Sequence, residues 1–533
     1  MSKNAKITLH PSFEIGEISP RLFSGFLEPI GTMVNGTMYN PAHPTADEQG
    51  FRKDVMEALK KGGIPAIRLP GGNFVSCWDW QDSIGPKEER KTRLDLSWFQ
   101  IYKNEVGHDE YLQWAEKVGF EPMYTINLGT GDINDAMKII EYSNHPGGTY
   151  YSDLRAKNGH ADPYKVKIWC LGNEMDGPWQ LGAWEKNPKG YGILVHEVSK
   201  AMKFVDGSIE TVACVSSSPF LAHYPQWDFD VLEQCYETVD YISLHHYHSA
   251  PEGDLGAWLA GSDMFEDYIR TEVALCDFMK TKLRSTKTMM ISFDEYGSNP
   301  HKVQDIHYGR NGKLLVDEIY KFDPNRQYVY HDPTKPRMGG MFNRGGEMLR
   351  VLTTFSLTLT FVRHADRVKI ACMTGGIGAL AASDYDHVWK SASYYPYTQL
   401  IEHCKGTSIM PEVESETYDV PGYATCDFFQ YDTHNGIKYI EAAAAKNDDE
   451  LAVFVINRDW NDDANLTLDV EAFEGYEFKE HVQLYTDDLD ARNTYENPEA
   501  LIPSVNGNVK FENGALSAEV KKLSWNMFLF KKI

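Results

Sequence analysis

The chain has 533 residues, with 77 Asp and Glu against 52 Lys and Arg, for a formal net charge of −25. A surface that acidic repels phosphate backbones and anionic headgroups, so nucleic acid and membrane partners are set aside, whereas a neutral substrate meets no such penalty. With 42% apolar and 24% charged residues the chain is not a disordered one, and its length exceeds a single small core.

The opening MSKNAKITLHPSFEIGEISP has charges but no apolar segment of signal-peptide type, and no apolar run reaches the ~20 residues of a membrane helix. The eight cysteines are scattered without CxxC pairs and read as reduced thiols, neither a disulfide framework nor a zinc site. The expected location is the cytoplasm.

In chain order, AKITLHPSFEIG alternates like a strand, and residues 1–18 are expected to pair with a C-terminal β domain. Eight apolar runs follow, at 22–28, 65–69, 122–128, 166–172, 211–216, 240–246, 288–294 and 367–373. Between them lie helical patterns such as 50–62, closed by Gly62-Gly63, and 109–119, 191–204 and 262–283. Strands apolar on both faces and separated by helices predict an α/β fold, a closed (β/α)8 TIM barrel over 19–391. Segment 298–342, rich in Pro, Gly, Asn, Asp and Tyr, is expected as a long loop after the seventh strand, on the face where barrels carry their sites. From 392 to 533 alternating runs separated by Asn, Asp, Gly and Pro predict an all-β sandwich; within it, EAAAAK at 441–446 has the look of a spacer.

Two strings concentrate chemistry. WCLGNEMDGPWQLG (169–182) places Asn173 and Glu174 at the C-terminal rim of the fourth strand, and MMISFDEYG (289–297) places Asp294 and Glu295 at the same end of the seventh. Two carboxyls facing each other across a barrel mouth suit glycoside hydrolysis, where one protonates the leaving oxygen and the other attacks or activates water. A single rim glutamate is more often solvated or salt-bridged; a matched pair shifts the balance to catalysis. Arg68 lies in the second strand, and PGGNF (70–74) leaves Asn73 free to bond a hydroxyl-rich ligand. Glu28 ends the first strand and His245, His246, Tyr247 and His248 end the sixth. HHYH lacks the distant ligands of a closed metal site, so no metal is assigned. Trp98, Trp179 and Trp184 are candidates for stacking on sugar rings, with core packing as the alternative for each.

The strings NPAHPTADEQGFRKDVMEALK, IPAIRLPGGNFVSCWDWQDSIGP, RLDLSW, EPMYTINLGTG, WCLGNEMDGPWQLG, SFDEYG and RHADRVKIAC resemble the family 51 glycoside hydrolases, typically α-L-arabinofuranosidases, over about residues 20–375. The resemblance implies a retaining exo-enzyme acting on arabinose-containing oligosaccharides, with Glu174 as acid/base and Glu295 as nucleophile. It implies that Glu28, Arg68, Asn73, Asn173, His245 and Tyr247 hold the furanose or the nucleophile. It also implies no cofactor, and a homo-oligomer. Two positions depart from the family pattern: Glu28-Pro29-Ile30-Gly31 replaces EHLG, and Gly375 stands where the family places a sugar-contacting Gln. The competing readings are a furanosidase for galactofuranosides or D-arabinofuranosides, and a non-catalytic carbohydrate-binding protein. The intact glutamates oppose the latter.

Overall fold

In this computed structural model, residues 3–182, 184–298, 308–309, 313–314, 323–336, 348–424 and 430–533 are described. Eight strands close into a parallel barrel: β1 (Ser24–Phe26), β2 (Ala66–Leu69), β3 (Glu121–Ile126), β4 (Ile168–Leu171), β5 (Glu210–Cys214), β6 (Tyr241–His248), β7 (Met290–Ser298) and β8 (Val368–Thr374). Each falls on one of the eight apolar runs. Helices cross over between them, among them α1 (Lys53–Gly62), α2 (His108–Val118), α3 (Pro188–Val205) and α4 (Gly261–Lys282). Helix α1 stops where Gly63 turns left-handed, at φ 72°, and donates back to the Leu59 and Lys60 carbonyls. The barrel interior is filled by Phe26, Met123, Ile168, Cys170, Val212, Ile370 and Cys372, which form a plug beneath the mouth.

Strands β6 and β7 run further than their apolar runs suggest, so the HHYH and DEYG residues lie within the sheet. Their register is irregular. Ser243 pairs with Ser292 but His245 with Glu295, and on the other side Phe293 pairs with Ala371 but Tyr296 with Met373. β7 therefore carries one extra residue relative to both neighbours, a bulge at Phe293–Glu295. Regular alternation would send Asp294 and Glu295 to opposite faces. The extra residue brings both carboxyls to Arg68 inside the barrel.

Twelve further strands form a sandwich of a five-stranded and a seven-stranded sheet, and the other described strands pair as short two-stranded ribbons. Lys3–Thr8 lies inside the first, parallel to Ala464–Asp469 and antiparallel to Glu412–Glu414, and Glu14–Glu17 edges the second beside Thr407–Ile409. EAAAAK is no spacer: Ile440–Lys446 is a strand of the seven-stranded sheet, buried but for its last residue. The buried helix α5 (Met348–Arg363) connects the two units, and its Arg363 donates to the Ala442 carbonyl and to Glu441. The seven described cysteines are free, and no described helix is long and apolar enough to cross a membrane. Most of the 298–342 segment lies outside the described residues. Its 323–336 part runs along Gln100–Tyr102, through hydrogen bonds between Val329 and both Phe99 and Ile101.

Candidate active site

Arg68, fully buried on β2, is the hub of the barrel mouth. Its Nη1 donates to Glu295 Oε1 at 2.6 Å, its Nη2 to Asn173 Oδ1 at 2.8 Å, and its Nε lies 3.3 Å from Asp294 Oδ2. The other Glu295 oxygen accepts from the Tyr247 hydroxyl at 2.7 Å. His245 bridges two carboxyls, with Nδ1 3.1 Å from Glu174 Oε1 and Nε2 3.0 Å from Asp294 Oδ1, which Ser243 also reaches at 2.5 Å. Trp179 Nε1 donates to the second Glu174 oxygen at 2.7 Å.

The Glu174 backbone is left-handed, at φ 46°, just after Gly172 at φ 100°. A non-glycine residue held in that region stores strain of about 1–3 kcal/mol, and such residues cluster at functional sites. Trp179, His245 and the Gly177 amide on the Glu174 carbonyl hold it there.

A second group lines the opposite wall. Asn73 Oδ1 accepts from Asn173 Nδ2 at 3.0 Å and from Gln180 Nε2 at 2.7 Å. Asn173 thus commits its oxygen to Arg68 and one amide hydrogen to Asn73, which leaves one hydrogen for a ligand. Glu28 Oε1 accepts from the Phe74 amide at 3.0 Å and from Trp98 Nε1 at 2.6 Å. Gly72, at φ 73°, makes this approach possible: a Cβ there would sit 2.0 Å from the Glu28 carboxyl carbon.

The electrostatics follow from burial. Burial alone would lower the His245 imidazole, yet Glu295, Asp294 and Glu174 around it raise it to about 10, so it is a cation at neutral pH. Burial favours neutral Asp294, but Arg68 and His245 hold it below the usual carboxylate range. Burial pushes Glu295 up, and His245, Arg68 and the Tyr247 hydroxyl pull it partway back. Burial and then the neighbouring Glu295 push Glu28 well above the ordinary value.

Glu28, Arg68, Asn73, Trp98, Asn173, Glu174, Trp179, His245, Tyr247 and Glu295 meet at this mouth. Trp98 and Trp179 reach it with their indole N–H groups bonded to the Glu28 and Glu174 carboxyls. Trp184 packs against the core instead. Sequence reasoning left Ser243, Gln180 and Asp294 without a role; Asp294 had a signal, its place beside Glu295. Of the two departures, Pro29 is held by its carbonyl, which accepts from Gln100 Nε2 at 2.8 Å. Gly375 is left-handed at φ 86°, and a Cβ there would have no described residue within 4 Å. Glu174, His245 and Glu295 offer three ligand atoms within 4.8 Å of one another, compact enough for a cation. Each already has protein donors or counter-charges, and with His245 charged the trio reads as a proton-handling cluster.

Two family models cover most of the chain: "Alpha-L-arabinofuranosidase 1 domain" matches residues 56–270 and "Alpha-L-arabinofuranosidase C-terminal domain" residues 344–524. The chain is 37% identical to the intracellular exo-α-(1→5)-L-arabinofuranosidase of Acetivibrio thermocellus, over 99% of this chain and 100% of that one. It is also 37% identical to the intracellular exo-α-(1→5)-L-arabinofuranosidase 1 of Bacillus subtilis, over 99% of both. The solved structure of a family 51 α-L-arabinofuranosidase from Bifidobacterium longum matches with a TM-score of 0.85 at 29% identity, covering 99% of this chain and 100% of that one. Matched from end to end in sequence and in fold, this chain belongs to the α-L-arabinofuranosidases of glycoside hydrolase family 51.

Proposed function

We propose that the protein is a retaining exo-α-L-arabinofuranosidase that removes terminal arabinofuranosyl units from oligosaccharides, with Glu295 as nucleophile and Glu174 as acid/base. The observation that carries this reading is the carboxyl spacing. Oxygens of Glu174 and Glu295 lie within 4.8 Å, close to the ~5–5.5 Å of retaining enzymes and short of the ~6.5–9.5 Å that an inverting enzyme needs for its water.

In the first step Glu295 attacks the anomeric carbon while Glu174 gives its proton to the departing oxygen. In the second, Glu174 takes a proton from water, which attacks the glycosyl-enzyme ester and frees Glu295. Arg68 and the Tyr247 hydroxyl hold Glu295 for in-line attack. His245, charged and tied to Asp294, fixes Glu174 from one side as Trp179 does from the other. Asn173, with its free amide hydrogen, and Glu28 and Asn73 face the furanose hydroxyls, and the Trp98 and Trp179 rings flank it. No step needs a cofactor. The relatives' names support an α-(1→5) linkage and an intracellular setting.

Role-specific variants test this. Glu295→Ala should abolish turnover of an aryl α-L-arabinofuranoside, and azide should restore part of it as the inverted glycosyl azide. Glu174→Ala should lose far more on poor leaving groups than on nitrophenolate, which needs little protonation. Equal losses on every leaving group would reverse the assignment. We further read the protein as a homo-oligomer of closed symmetry. Light scattering at micromolar concentration should give a multiple of 60.6 kDa, and a monomer mass would remove that part of the reading.

A further inference from the structure

Tyr247 stands between two groups. Its hydroxyl oxygen lies 2.7 Å from Glu295 Oε2 and 2.8 Å from Thr374 Oγ1, the half-buried last residue of β8. A phenol has one hydrogen, so it can donate to only one of them. Burial and then the adjacent Glu295 hold that phenol protonated far above its ordinary value, so the hydrogen is present throughout the working range. A carboxylate is a stronger acceptor than a neutral hydroxyl, so the hydrogen goes to Glu295. The contact with Thr374 must then run the other way, with the threonine hydroxyl donating to the phenol oxygen. Because Gly375 and Gly376 follow, Thr374 is the last polar side chain at this rim of β8.

We propose that Thr374 is a positioning residue for the nucleophile: by donating to the Tyr247 oxygen it commits the phenol hydrogen to Glu295. The direction Thr374 to Tyr247 to Glu295 strengthens each bond in turn, because a hydroxyl that accepts becomes a better donor. Without the threonine hydroxyl, the phenol loses the partner that fixes its rotation and its polarity. The charged and titratable groups facing Glu295 are Arg68 from β2, His245 and Tyr247 from β6, Glu174 beyond β4, Glu28 beyond β1 and Asp294 beside it. Thr374 adds no charge to that set; it acts through Tyr247.

The inference rests on Glu295 being the nucleophile, and the experiment separates the two claims. With para-nitrophenyl α-L-arabinofuranoside, an inactive wild type or a fully active Glu295→Ala variant overturns the functional reading itself. With wild type active, Thr374→Val should lower kcat/KM roughly threefold to tenfold, about what a hydrogen bond between two neutral hydroxyls is worth. It should also move the acidic limb of the kcat/KM profile to higher pH by several tenths of a unit, because the less stabilised Glu295 anion gains its proton sooner. Thr374→Ser, which keeps the hydroxyl, should restore both. In a Tyr247→Phe background Thr374→Val should cost nothing more, since the route through the phenol is already gone. An unmoved acidic limb, or the full loss repeated in the Tyr247→Phe background, overturns the inference and leaves the functional reading standing. Should Thr374→Val not fold, Thr374→Ala carries the same readouts.

Discussion

Gly375 decides how much room the site keeps beside Thr374. A Cβ at Gly375 would meet no described residue within 4 Å, but its φ of 86° is one that L-residues reach only at a cost of about 1–2 kcal/mol. Restoring the family's amide by Gly375→Gln therefore brings strain before it brings a contact. The expected outcome is a melting temperature lower by a few degrees and comparable losses of kcat/KM on arabinofuranosides and galactofuranosides. A gain on the arabinofuranoside with a loss on the bulkier sugar would show instead that the pocket is enlarged for a longer exocyclic arm. Glu174 shows the opposite balance at the same scale: a residue with a side chain is kept left-handed because its carboxyl is worth more there than the strain.

Among the elements, the bulge in β7 does the most for the site, because it turns two consecutive acids to one side. A second acidic pairing sits behind the mouth. Glu272 on α4 and Asp228 on the helix Gln226–Cys235 are fully buried and close enough to share a proton, with Tyr224 beside them. Burial raises Glu272 to about 7, and burial followed by Glu272 and Asp176 raises Asp228 well above its ordinary value. Tyr224 and Tyr268 also face the pair, and Ser216 donates to Asp228 at 2.8 Å. Both acids have folded pKa values above the unfolded ones. A carboxyl held neutral in this way stabilises the fold below its unfolded pKa of about 4, and for Glu272 that contribution is lost as pH rises through about 7. Glu272→Gln removes that loss. It should raise stability at pH 8 by an amount of the order of 2 kcal/mol and leave it nearly unchanged at pH 4. Thermal melts of both proteins across this range check it, and an equal shift at both ends would mean packing, not protonation, is at work.

For the whole molecule, the two units are laced together by chain that runs back and forth between them. The first strand of the sequence, Lys3–Thr8, forms the inside of a sheet whose other strands come from residues 412–520, with Ile7 fully buried. Arg458 of the sandwich donates to the Leu259 carbonyl of the barrel at 3.0 Å, and Lys3 pairs with Asp459 at 2.7 Å. Removing residues 1–10 would strip one sandwich sheet of an internal strand and expose Leu466 and Leu468. We expect a truncated protein that melts at least several degrees lower and aggregates, and not one that is merely slower. A truncated protein with wild-type stability would show that the strand is dispensable.

The eight barrel strands were readable as one-dimensional runs because each is buried on both faces, so apolarity alone marks it. Glu174 and Glu295 stood out for a related reason: an acid that closes an apolar strand is visible without knowing its neighbours. What the string of residues could not contain is register. Whether Asp294 faces in beside Glu295 depends on β6 and β8 pairing across a bulge, and no periodicity within SFDEYG encodes that. Burial in a sheet likewise overrode the helical propensity of EAAAAK, since propensities of tenths of a kcal/mol per alanine yield to a strand paired on both sides. The contact of Tyr247 with Thr374 joins residues 127 apart. Such contacts exist only after the barrel closes, and they decide which hydrogen points at which oxygen.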